Sequence, residues 1–172
     1  LIYLTKAGLW RLVELERAGV ERAKKALDRL RGITKARGFY DLLDEYLRPA
    51  LEAETVDPRT VIAEDKERGI RAVVKDLRLE WKGDRPRIIV EYEANGRADS
   101  FYFTWGTIKG HGVMAGVKLN EEKAAVLAAL TGDESIKGKK QVALTARHFF
   151  ALARYKGIGW GLLRWYAEIK RE

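Results

Sequence analysis

The sequence predicts an α+β fold with an N-terminal helical hairpin, a four-stranded antiparallel meander and three C-terminal helices. Three observations predict it. Apolar residues recur at helical spacing up to Leu51, alternate with period two from Ile70 to Leu119, and return to helical spacing after Asn120. Helices therefore do not interleave with strands, which separates α+β from α/β. The 172 residues fit one domain, or a compact domain with a helical arm, and suffice for a real core. With 47% hydrophobic residues the chain is no disordered tail. No apolar run reaches the roughly 18 residues of a membrane span. The absence of cysteine excludes a disulfide framework and a thiolate metal site.

The first helical segment is capped by Thr5 and carries Leu9, Leu12, Val13, Val20, Ala23, Leu27 and Leu30 on one stripe. Gly19 weakens its middle, so one helix or two fit the pattern. Gly32 ends it. A second helix follows with Phe39, Leu42, Leu43, Tyr46, Leu47 and Leu51, and Pro49 shortens or kinks its last turn. Together they form the expected hairpin, a packing arm or dimerising surface. Residues 55–67 are polar and interrupted by Pro58, and read as a connection. The domain boundary is placed there, between a 1–56 arm and a 57–172 α+β domain.

Ile70, Ala72 and Val74 alternate, then the parity changes to Leu77, Leu79 and Trp81. One extra residue near Lys75–Asp76 produces that shift, as a β-bulge does. The Gly83–Asp84 turn leads to Ile88, Val90 and Tyr92. Asn95–Gly96 then signals a type I′ hairpin. Phe101, Phe103 and Trp105 form the third strand, and Val113, Ala115, Val117 and Leu119 the fourth. Asn120 N-caps a helix over 121–130, with Glu121 and Glu122 complementing its positive end. Thr131–Gly132 stops it. After a basic loop, Thr145 caps a helix to Tyr155, and Gly157 and Gly159 precede a last helix with Trp160, Leu163, Tyr166 and Ile169.

Charge is concentrated at one end. Residues 137–171 contain nine basic groups (Lys137, Lys139, Lys140, Arg147, Arg154, Lys156, Arg164, Lys170, Arg171), opposed within the stretch only by Glu168. Their excess equals the formal net charge of the whole chain, +8. Such a focused field attracts polyanions and speeds their encounter. These nine residues are the expected nucleic-acid contacts. The glycine-containing segment between the last two helices also admits a helix–turn–helix reading. Amides are nearly absent (Asn95, Asn120, Gln141), Met114 is the sole methionine, and ions are abundant. That composition is the thermophile pattern.

Several long strings resemble the PaRep2b family of hyperthermophilic archaea: Leu47–Pro58, Phe103–Gly106, Leu119–Glu134, His148–Trp160 and Leu163–Glu168. The resemblance covers residues 47–172 well and 1–46 loosely. It implies a protein of a dispersed, mobile genomic repeat, with DNA favoured over RNA as partner. Some relatives are distantly similar to LAGLIDADG homing endonucleases. The acidic motif that ends a metal-binding helix in that group is missing here.

Elements of catalysis are sparse. His111 and His148 are too few and too far apart for a helical metal pair. His111 reads as a loop residue and His148 as a packing or capping residue. No nucleophile elbow occurs, and Gly132–Lys140 echoes a phosphate loop only at the wrong length. Asp84, Glu91 and Glu93 form the one carboxylate set that strand geometry brings toward a hard cation, the basis of an alternative nuclease reading. The expectation is a cytoplasmic DNA-binding protein acting through its basic C-terminal surface. No cofactor, catalytic residue or metal ligand is assigned, no membrane is expected as partner, and a binding protein is favoured over an enzyme. The alternative is an interaction module forming a homodimer through its N-terminal helices.

Overall fold

The computed structural model describes residues 48–109 and 112–171, and of the N-terminal segment residues 19–21, 24 and 25. The expected helical hairpin, with the dimer surface on it, falls largely outside the described residues, as does His111. What is described there fits a break at Gly19. Its φ is +87°, and the Val20 carbonyl accepts from Lys24 N–H at 3.3 Å. The chain forms two compact units, Val56–Ile158 and a second built from Leu1–Thr55 with Gly159–Glu172. The architecture is α+β.

In the Val56–Ile158 unit, a four-stranded antiparallel sheet runs in the order β1 (Ile62–Asp65), β2 (Ile70–Lys82), β3 (Arg85–Ala94) and β4 (Arg97–Thr104). The register shift of the expected bulge lies between Val74 and Asp76. Asn95 and Gly96 take φ +53° and +75°, as the hairpin turn demands. Alternation buries Ile88, Val90, Tyr92 and Ala94 on one face of β3, with intermediate exposure on the other.

The meander uses a different set of strands from the expected one. Its first strand is β1, within the supposed connection, while Val113–Leu119 belongs to a second sheet. That sheet is β5 (Gly106–Ile108), β6 (Gly112–Lys118) and β7 (Gln141–Leu144), paired antiparallel in that order. The reason for the first miss is Asp65, a charged residue that is 2% exposed and takes an inward position of β1. Its Oδ2 accepts from Arg68 Nη1 at 2.9 Å, so the carboxylate is buried with a partner. A hydropathy pattern reads such a strand as polar loop. β7 is missed because it is four residues long and follows a lysine run.

The unit's helices are α2 (Glu121–Thr131) and α3 (Ala146–Leu152). Asn120 Oδ1 accepts from Lys123 N–H at 2.8 Å, and Gly132 closes α2 in the left-handed region. Ala124–Ala128 and Leu130 are fully buried, so α2 is a central helix and lacks a one-sided apolar stripe. An edge-to-face series, Phe103–Trp105 at 5.9 Å and Trp105–Phe149 at 5.1 Å, ties β4 to α3. Such pairs contribute about 0.5–1.5 kcal/mol each beyond buried area. The core thereby fixes α3 and the loop before it.

In the other unit, α1 (Arg48–Glu54) packs with α4 (Gly159–Arg171), and Arg48 lies over the Trp160 ring at 5.2 Å. Leu162, Leu163, Trp165 and Tyr166 of α4 are buried. The three helices expected after Asn120 are thus present as α2, α3 and α4.

Candidate nucleic-acid interface

The loop carrying Lys137, Lys139 and Lys140 is held at both ends. Asp133 caps a 3-10 turn, Glu134–Ile136, and its Oδ1 accepts from Ser135 N–H at 3.1 Å and Ser135 Oγ–H at 2.6 Å. Oδ2 accepts from His148 Nε2 at 2.7 Å and Arg147 Nη2 at 2.6 Å. His148 Nδ1 accepts the Thr145 backbone N–H at 3.0 Å, so the proton sits on Nε2, and the neutral imidazole donates to Asp133. His148 is therefore a buried capping group of α3, in keeping with its sequence position. The Ser135 hydroxyl first, then His148, then the Ser135 amide and the Arg147 charge hold the Asp133 carboxyl far below the usual carboxylate range, against an opposing effect of burial.

At the other end, Ile136 is fully buried, its carbonyl accepts from Lys139 N–H at 3.1 Å, and the Lys140 carbonyl accepts from Leu119 N–H at 2.7 Å. Between them Gly138 sits at φ +78°, and a Cβ there would overlap the Arg68 guanidinium. Glycine thus serves the turn and also admits Arg68. Cross-strand pairing sets Lys118 opposite Gln141, beside the loop. Arg68 and Lys118 join the basic region without having been expected in it. Lys118 follows from the alternation of β6 once β7 is known. Arg68 follows only from the burial of Asp65.

The nine expected residues are placed unequally. Lys139, Lys140, Arg154 and Lys156 are exposed. Lys137 pairs with Glu134, and Arg147 with Asp133. These two acids lie just upstream of the stretch in which only Glu168 opposed the cations, and the turn folds them back. Arg147 remains 73% exposed, so its pairing leaves most of the guanidinium open. Arg164 is exposed on α4, in the other unit, and the side chains of Lys170 and Arg171 lie outside the described residues.

An open groove of about 550 Å³ adjoins the loop, walled by Glu64, Asp65, Glu67 and Glu134 together with Lys66, Arg68 and Lys137. Four carboxylates face three cations there, so the groove is no anion site, and Lys139 and Lys140 are not among its walls.

Two expectations are corrected. α3 stops at Leu152, and residues 153–158 form turns pinned by Val56 N–H to the Arg154 carbonyl and Lys156 N–H to the Val56 carbonyl, both 3.0 Å. The short glycine turn of a helix–turn–helix is absent. Glu91 accepts from Arg78 at 2.8 Å, and Glu93 lies 3.6 Å from Lys75 Nζ, while Asp84 occupies the turn at the far end of the hairpin. Among the described residues no group of three or more acids or histidines is placed to hold a metal. Nor is any helix among them long and apolar enough to cross a membrane.

A family model described as PaRep2b protein matches residues 1–170. Neither a curated protein nor a solved structure matches the chain.

Proposed function

The chain belongs to the PaRep2b family, and from that premise we propose that it binds nucleic acid, DNA before RNA, through the basic surface of its C-terminal third. The observation that carries this reading is the segregation of charge: nine cations and one acid between residues 137 and 171. Lys139 and Lys140, exposed on a loop anchored by Asp133 and Ile136, are its centre, with Lys118, Arg147, Arg154 and Lys156 contributing from the same unit. Backbone anchoring limits the entropy lost when the loop meets a phosphate chain. Phosphate contacts of this kind position a duplex without reading its sequence. The partner is therefore bound with little base preference. The mobile-repeat character implied by the family resemblance makes DNA the natural polyanion.

The test is binding of duplex DNA by the Lys139→Glu/Lys140→Glu double variant across a salt series. Wild type is expected to weaken steeply with salt, and the variant to lose roughly 2 from the log–log slope, about 0.9 per phosphate contact removed. Tight binding that survives both the substitutions and high salt overturns the reading.

A further inference from the structure

We propose that the solvent face of the four-stranded sheet, at its β2–β3 turn end, is a second binding surface that stacks an unpaired nucleobase. The sequence pattern treats this face as merely wet. The structure puts an aromatic ring on it. Tyr102 on β4 is 61% exposed, the most exposed large apolar or aromatic side chain among the described residues. The Arg87 guanidinium lies over its ring at 4.5 Å from the centroid. Register explains the meeting. Arg87 stands opposite Thr104 and Ile89 opposite Tyr102, so Arg87 and Tyr102 are diagonal neighbours on one face.

Cations continue from this pair toward the turn. Glu80 stands opposite Arg87, and Lys82 opposite Arg85. Among the described residues Lys82, Arg85 and Arg87 form no ion pair, and Glu80 and the turn residue Asp84 are the acids beside them. The other end of the same face is different. There Arg78 is shared by Asp76 and Glu91, Lys75 meets Glu93, and Arg71 meets Glu64. On this face the cations without an ion pair are therefore confined to the end that holds the exposed ring, three of them against the two acids Glu80 and Asp84. Arg87 adds a further sign. Its Nε is buried without a hydrogen-bond partner, so the guanidinium is held by its stack on the ring and not by an ion pair.

The occupant that fits is single-stranded nucleic acid. Every base offers a π face to Tyr102 and the Arg87 plane, and its backbone passes over Lys82 and Arg85. A duplex keeps its bases stacked inside and gains nothing from an exposed ring on a sheet. The surface is separate from the Lys139–Lys140 loop, so this inference stands or falls apart from the function proposed above.

The experiment measures fluorescence anisotropy of a short labelled oligothymidylate and of a duplex of equal length, with wild type, Tyr102→Ala, Tyr102→Phe and Lys139→Glu/Lys140→Glu. Tyr102→Ala is expected to weaken the single strand roughly 5- to 150-fold, the range of one base–aromatic stack. It should leave the duplex and the thermal melt unchanged, and Tyr102→Phe should retain binding. Three results would overturn the proposal: no single-strand binding by wild type, unchanged single-strand affinity in Tyr102→Ala, or an equal loss for duplex and single strand. Loss in the lysine variant with none in Tyr102→Ala also removes it, and leaves the loop as the binding surface.

Discussion

The outer face of the four-stranded sheet and the 133–156 segment are both rich in ions, but they manage charge in opposite ways. On the sheet away from the β2–β3 turn, each cation meets a carboxylate: Arg71 with Glu64 and Lys75 with Glu93 across the strands, and Arg78 with Asp76 on its own strand and Glu91 across. In the 133–156 segment, Asp133 and Glu134 serve Arg147 and Lys137, and Lys139, Lys140, Arg154 and Lys156 stand exposed. The sheet is a network of exposed, redundant pairs, each worth little alone. The segment is organised through a single carboxylate, partly shielded, that joins a loop to a helix. Where one group serves many partners, its loss is felt. Where pairs are redundant, it is not.

The largest effect should come from Asp133→Ala. The substitution strands the buried His148 Nε2–H and releases Ser135 and Arg147 together. A loss of about 2–3 kcal/mol in urea denaturation is expected, the scale of a buried donor left without its charged acceptor. The same group sets a pH dependence. Its folded pKa is depressed, so its contribution is complete above the unfolded aspartate value of about 3.9 and is lost as pH falls through the folded value. Wild type and Asp133→Ala should therefore converge as the pH is lowered into the acid range, and parallel curves would contradict this account.

Gly138→Ala comes next. The positive φ alone costs about 1–2 kcal/mol for an L residue, and the new Cβ must displace Arg68. The thermal midpoint should fall, and duplex binding should fall with it, because the loop that carries Lys139 is reshaped. The smallest effect belongs to the sheet: Arg78→Met should leave the melting temperature nearly unchanged, although Arg78 makes two 2.8 Å contacts, since both its carboxylate partners are partly exposed to water. A large shift there would erase the contrast between the two regions.

Much of the fold could be read from local rules. The bulge at Lys75–Asp76, the Asn95–Gly96 turn, the Asn120 cap and the Gly132 stop each depend on a few neighbouring residues, and all stand where the sequence puts them. Strand partners were harder. β1 was hidden because its inward position is Asp65, acceptable only with Arg68 three residues on. β6 was assigned to the wrong sheet because its partner β7 is short and preceded by lysines. The candidate site divides along the same line. Its cations were visible in composition, whereas the Asp133 and Glu134 pairings, Arg68 beside Gly138 and the Tyr102–Arg87 stack were not.

The sequence by itself determined the α+β class, the turns and caps, the family and the excess of positive charge near the C-terminus, because these rest on periodicity, on φ preferences and on counting. Tertiary structure alone decided which strand lies beside which, which cations keep a carboxylate neighbour and which face the solvent. Those outcomes turn on distances between residues far apart in the chain, and charge interacts through space, not along the sequence.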